Sequence, residues 1–219
     1  MQHEILGQFA QFAKLTLAQD EFCWAGKGGI MSYSDGVEWR LRVPGGVAGA
    51  ARRMLSGEGL ALAHLRATRN GATASLASSQ AGRILILNLE DGPVLTTRGS
   101  FLAAWGDVDL DVTVAKRAGA ALFGGAGLFL QRISGRGTVL VHCAGDVDDR
   151  RLAAGESLHV STGHLAAFTD AVDYDIRYVG NVRKALFSGE GLFMTRLTGP
   201  GRVLLQTLKR RQEIAVRQK

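Results

Sequence analysis

Hydrophobic and polar positions alternate along this chain in short runs, and nearly every run stops at a glycine. Val108, Leu110, Val112 and Val114 fall on one face of an extended segment, with Asp109, Asp111 and Thr113 on the other. That is the period-two pattern of a half-buried antiparallel strand. Val37-Glu38-Trp39-Arg40-Leu41-Arg42-Val43 alternates in the same way, and Ala13 to Leu17 places Leu15 and Leu17 together. Shorter runs at Phe22–Ala25, Ile30–Tyr33, Arg83–Leu87, Val94–Thr97, Gly155–Ser161 and Asp173–Val179 read as further strands. The Asn70-Gly71 pair between Ala61–Leu65 and Thr73–Leu76 predicts a tight β-hairpin. No long stretch carries a helical period. Short strands divided by glycine turns make an all-β protein.

The strands recur in larger blocks. Ser56-Gly57-Glu58-Gly59-Leu60 returns as Gly125-Ala126-Gly127-Leu128-Phe129 and as Ser188-Gly189-Glu190-Gly191-Leu192-Phe193, with leading glycines 68 and then 64 residues apart. Leu102-Ala103-Ala104-Trp105 and Leu165-Ala166-Ala167-Phe168 form a second matched pair, 63 residues apart. Self-similarity at this period means repeated architecture. The expected layout is three β-modules, 1–80, 81–148 and 149–207, followed by a basic tail, 208–219. Units of this size are near the lower limit for an independent core, so they should stack on one another, here about a pseudo-threefold axis. Their edge strands then need covering by neighbouring modules or by another subunit, which predicts a homo-oligomer.

Composition refines this picture. Glycine supplies 29 of 219 residues and proline three, a balance that fits many tight turns. The net charge of +6 invites a nucleic-acid reading, but Lys209, Arg210, Arg211, Arg217 and Lys219 against Glu213 place +4 of it in the tail. The body is left near +2, without the clustered basic face that phosphate recognition needs, so the tail reads as a solubilising end and nucleic acid is not the expected partner. Cys23 and Cys143 make no disulfide framework and read as buried thiols in a reducing cytoplasm. Met1 to Gly7 has neither the basic nor the apolar region of a signal peptide, and the uncharged stretch from Ala118 to Gln131 is too short and glycine-rich to span a bilayer. The expected location is cytoplasmic.

Candidate chemistry is sparse. Glu58 and Glu190 sit among glycines and read as turn residues, and the middle copy has Ala126 in their place. His142, Cys143, His159 and His164 are the candidate metal set, but the two closely spaced histidines on one strand that a cupin site uses are missing. There is no nucleophile elbow, no H-E-x-x-H, no paired C-x-x-C and no P-loop. Trp24, Trp39 and Trp105 lie on or beside strands and are expected in the core. The basic pairs Arg52-Arg53 and Arg183-Lys184 precede two of the glycine turns and form a possible contact for an anionic surface, with solvated loops as the plainer reading.

Ser188-Gly189-Glu190-Gly191-Leu192-Phe193, followed by Gly199-Pro200-Gly201-Arg202-Val203-Leu204-Leu205-Gln206-Thr207 and preceded by Ser161-Thr162-Gly163-His164-Leu165-Ala166-Ala167-Phe168, resembles the altered-inheritance-of-mitochondria (mitochondrial biogenesis) family, which has many bacterial members. The resemblance runs over roughly residues 3 to 207. It implies a TRAP-like all-β fold, with short double-stranded β-helix modules like those of the tryptophan RNA-binding attenuation protein, which assemble into rings. It lends no catalytic residue and no cofactor, and a shared fold does not transfer RNA binding. The sequence thus points to a non-enzymatic, homo-oligomeric binding or scaffolding module. The alternatives are a metal-dependent cupin-like enzyme resting on His159 and His164, and a protein that touches lipid or RNA through Arg52, Arg53, Arg183, Lys184 and the tail.

Overall fold

A computed structural model of the chain describes residues 1–44, 61–114, 129–178 and 193–210. These residues form an all-β protein of seventeen strands in antiparallel sheets, as the alternation predicts. Among them no helix is long and apolar enough to cross a membrane.

In chain order, β1 (Gln2–Leu6), β2 (Phe12–Leu17), β3 (Phe22–Ala25), β4 (Ile30–Tyr33), β5 (Val37–Arg42), β6 (Leu62–Ala67) and β7 (Ala72–Ala77) come first. They build two facing layers, β2-β7-β4 extended by β1, and β3-β6-β5. Leu15, Leu17, Leu65 and Leu76 from the two layers are fully buried against each other. At the other end of the chain come β12 (Val147–Leu152), β13 (Ser157–Ser161), β14 (Leu165–Thr169), β15 (Asp173–Tyr178), β16 (Phe193–Thr198) and β17 (Gly201–Gln206). Their pairing order is the same, β12-β17-β14 over β13-β16-β15.

The middle follows this order with fewer, longer strands: β8 (Gly82–Asn88), β9 (Val94–Thr97), β10 (Phe101–Val114) and β11 (Phe129–Ala144). Residues 138–144 of β11 lie between β8 and residues 101–106 of β10, while residues 129–136 lie between β9 and residues 107–114. The two long strands turn their corner at Gly106 and Gly135, both at φ +104°. Such a backbone excludes most side chains, and a Cβ on Gly135 would run into the Asp107 carbonyl.

One irregularity recurs in all three regions. The register slips between Ile30 and Ser32 in β4, between Phe101 and Ala103 in β10, and between Leu165 and Ala167 in β14. The last two are the matched Leu-Ala-Ala motifs of the sequence. A bulge of this kind turns the strand and re-aims its side chains, and here the re-aimed strand reaches the neighbouring region. Ala103 and Ala104 pair with Ala25 and Trp24 of β3, and Ala167, Phe168 and Thr169 pair with Thr96, Leu95 and Val94 of β9.

The predicted hairpin around Asn70-Gly71 is not present. β6 and β7 lie in different layers, β6 between β3 and β5 and β7 between β2 and β4. Asn70 Oδ1 accepts from the Gln19 amide at 2.8 Å, and the Gly71 amide donates to Leu17 O at 2.9 Å. The turn is therefore tied to the β2–β3 corner and carries the chain across the core. Trp105 is buried and Trp24 half-buried, but Trp39 is 42% exposed on the outer side of β5, contrary to its expected place in the core.

Candidate functional site

Three places hold side chains with chemical potential. The first is an open cleft of about 570 Å³ where the end of β8 and the turn after it meet β9, β12, β14 and β17. Its floor is apolar, with Leu87, Val94, Leu152 and Phe168 all buried. Its rim carries charge, most of it already committed. Arg202 grips Asp149 with two hydrogen bonds, Nε to Oδ1 at 2.9 Å and Nη2 to Oδ2 at 2.7 Å. That grip holds the Asp149 carboxyl below its ordinary range and raises the Arg202 guanidinium. Asp170 is bound by Arg132 Nη2 at 3.0 Å. Arg151 stands opposite Arg202 across β12 and β17, exposed, and Asp91 lies on the far side of the rim. An apolar floor with a few convergent polar groups is suited to holding a small ligand or a peptide end. It offers no activated nucleophile.

The second place is the interior end of β11. His142 is almost completely buried, and burial together with the Arg210 cation lowers its imidazole to about 4. Arg210 Nη2 donates to His142 Nδ1 at 3.2 Å and to the His142 carbonyl at 3.3 Å, and Nη1 donates to Arg98 O at 3.2 Å. The Arg210 amide donates to Gly163 O at 2.9 Å. Lys209 and Arg210 thus belong to the folded body, not to a solubilising tail, because two main-chain carbonyls and a neutral imidazole accept from the guanidinium. Cys143, next in sequence, is free and buried, and burial pushes its thiol up to about 12. Cys23 is in the same state for the same reason. A thiol held protonated is neither a nucleophile nor a metal ligand at neutral pH.

The remaining histidines lie in separate places. His159 lies exposed on β13 opposite Arg196, whereas His164 Nδ1 donates to Gln206 O at 2.8 Å. Among the described residues no group of three His, Cys, Asp or Glu side chains is placed to hold a metal. His64 is stacked on Phe22 with ring centroids 5.0 Å apart and meets Trp24 edge-on at 4.9 Å. Burial, with Arg42 and Arg66 nearby, keeps its imidazole below the usual range. Sequence reasoning missed the cleft and the His142–Arg210 contact, since both join residues from distant strands. Arg52, Arg53, Arg183, Lys184, Glu58, Glu190 and the leading glycines Gly57, Gly125 and Gly189 lie outside the described residues.

The third place is the rim of the sheets. Among the described residues, β4 ends one sheet and β13 ends another. Fold and chemistry together define an antiparallel all-β protein with an apolar cleft and, among the described residues, two buried thiols and a buried imidazole. The chain belongs to the mitochondrial biogenesis AIM24 family, whose model matches residues 3–208. It is 31% identical over 167 residues to an uncharacterised protein of Streptococcus pyogenes serotype M6, a match that covers 76% of this chain and 66% of the relative. The crystal structure of a Streptococcus pyogenes protein superposes with a TM-score of 0.79 at 22% identity, covering 95% of this chain and 94% of the other. That likeness carries the fold.

Proposed function

We propose that the protein is a non-enzymatic, homo-oligomeric scaffolding and binding module of the cytoplasm. Its body consists of three TRAP-like double-stranded units in tandem, 1–80, 81–148 and 149–207. The observation that carries this reading is the recurrence of one six-strand pairing order, with the bulge of its third strand at Ile30, Phe101 and Leu165 in turn. Three copies of one fold unit make a framework for presenting surfaces, whereas catalysis needs a unique constellation. The state of the reactive groups supports the same reading: both thiols are held protonated and His142 is held neutral by burial.

A second reading, a binding protein for a small ligand, is favoured by the cleft of about 570 Å³ and its apolar floor. Native mass spectrometry of freshly purified protein separates the two. A scaffold appears as a multiple of 23.3 kDa with no additional mass. Stoichiometric extra mass, removed when Arg151 is changed to Glu, would move the function to the cleft. A retained metal or a turnover activity would overturn the non-enzymatic reading.

A further inference from the structure

The two internal junctions between units follow one rule. The third strand of a unit pairs along its outer edge with the second strand of the unit before it: β10 with β3, and β14 with β9. Each junction also carries side chains across. Leu102 and Ala103 of β10 belong to the core around Leu15 and Leu65, and Ala166 and Ala167 of β14 belong to the core around Leu110 and Ile133. Polar groups fix the same point in both junctions. The Gly26 amide donates to the Leu102 carbonyl at 2.8 Å, and the Thr97 hydroxyl donates to the Leu165 carbonyl at 2.7 Å with the Ala166 carbonyl at 3.1 Å.

Among the described residues β4, the third strand of the first unit, pairs with β7 and with no second strand of another unit. It has the same bulge and the same outward-turned positions, yet Met31 is 60% exposed where Leu102 is 3% and Ala166 0%. Tyr33 is 51% exposed where Ala104 is 0% and Phe168 1%. A sheet edge bearing two large apolar side chains is an open template for a further strand. At the opposite end, β13 is the second strand of the last unit and ends its sheet among the described residues.

We infer that β4 of one copy of this chain pairs antiparallel with β13 of a second copy, repeating between copies the junction that joins the units within one. This deepens the scaffolding reading above, on whose oligomeric part it rests, and it names the surface and the partner. The two internal junctions fix the register. Ala103 faces Ala25 and Ala167 faces Thr96, so Ser32 faces Val160 and Tyr33 faces His159. Met31 then enters the core around Val160 and Leu197 of the neighbouring copy, as Leu102 enters the core of its own first unit. The occupant is specified by the edge itself, since the strand that fits a third-strand edge in both observed junctions is a second strand of this same fold. A head-to-tail contact between copies closes into a ring or pair where the rotation permits and runs on as a filament where it does not, so sedimentation reads which form is built.

The test uses two single variants of the full chain, Tyr33→Cys and His159→Cys, both at exposed positions. Directly opposed residues of an antiparallel pair have Cα atoms about 4.5–5.5 Å apart, within disulfide range. The native Cys23 and Cys143 are buried and give little background. Under mild oxidation the mixture should yield a covalent species of twice the chain mass, several-fold above what either variant gives alone. The double variant should yield covalent multimers. Cross-linking of the double variant only within one chain would overturn the inference, because the two edges would then close on each other. Absence of cross-links in a protein that sediments as an oligomer would overturn this interface and leave the oligomeric reading standing. Absence of cross-links in a monomer would end both.

Discussion

Acidification is predicted to destabilise this protein through His142 in particular. Buried beside Arg210, its imidazole titrates at about 4 in the folded chain against 6.5 when exposed. The folded state therefore favours the neutral ring. The stability this contributes is present in full above 6.5 and is lost as pH falls from there towards 4, because the unfolded chain takes up the proton first. Linkage between those two values gives a loss of about 2.5 kcal/mol from pH 7.5 to pH 4.5. For a chain of this length that corresponds to a drop in melting temperature of about 5–10 °C. Carboxylates also titrate in this range, so the informative comparison is with His142→Gln, which keeps an acceptor for Arg210 Nη2 and cannot be protonated. Melting curves followed by circular dichroism at pH 7.5 and 4.5 should show the wild type losing more stability than the variant by that margin. Parallel losses in the two proteins would refute the assignment of a neutral, buried His142.

Other consequences can be measured separately. Leu102→Ala removes a side chain buried in the first core and should cost about 2–5 kcal/mol at any protein concentration, whereas Met31→Ala, at the matching position of the first unit, should lower the melting temperature only at concentrations where copies associate. Gly135→Ala imposes a side chain on a positive-φ corner facing a carbonyl and should destabilise by about 1–3 kcal/mol in chemical denaturation. Asp149→Asn breaks a partly exposed ion pair with Arg202 and should cost no more than about 1 kcal/mol. The cost should be seen above the carboxyl range and vanish as pH falls through the lowered titration of Asp149. Thiol titration with a maleimide should leave Cys23 and Cys143 unmodified in the folded protein and label both in denaturant.

The strands were legible in the sequence where one face is buried. The run from Val108 to Val114 belongs to a single strand with Leu110 and Val112 inward, and the matched Leu-Ala-Ala motifs fall at the same bulge in β10 and β14. Repetition was readable because each unit meets the same packing constraint. What failed was decided by partners far away in the chain. Asn70-Gly71 has the chemistry of a hairpin turn, but the acceptors and donors that fix it belong to Gln19 and Leu17, so the strands on either side enter different layers. β1 escaped notice because it is an edge strand whose residues are no more than half-buried, leaving little pattern to read. Lys209 and Arg210 looked like the start of a charged tail because composition counts a cation without seeing its acceptors. The carbonyls of Arg98, His142 and Gly163 that hold Arg210 come from three other parts of the fold. Trp39 alternates as a core residue should, yet its face of β5 points outward. The cleft was illegible for the same reason as the Arg210 contact: its walls are built by strands that lie far apart in the chain, from Leu87 to Arg202.

Assembly of this protein depends on the exposed β4 edge. Sedimentation equilibrium of the wild type and of Met31→Glu, each over a hundredfold range of concentration, tests it directly. An interface at this edge gives a discrete multiple of 23.3 kDa for the wild type and the single-chain mass for the variant, with both equally folded by circular dichroism. A wild type that stays at the mass of one chain, or a variant that assembles as the wild type does, would contradict it.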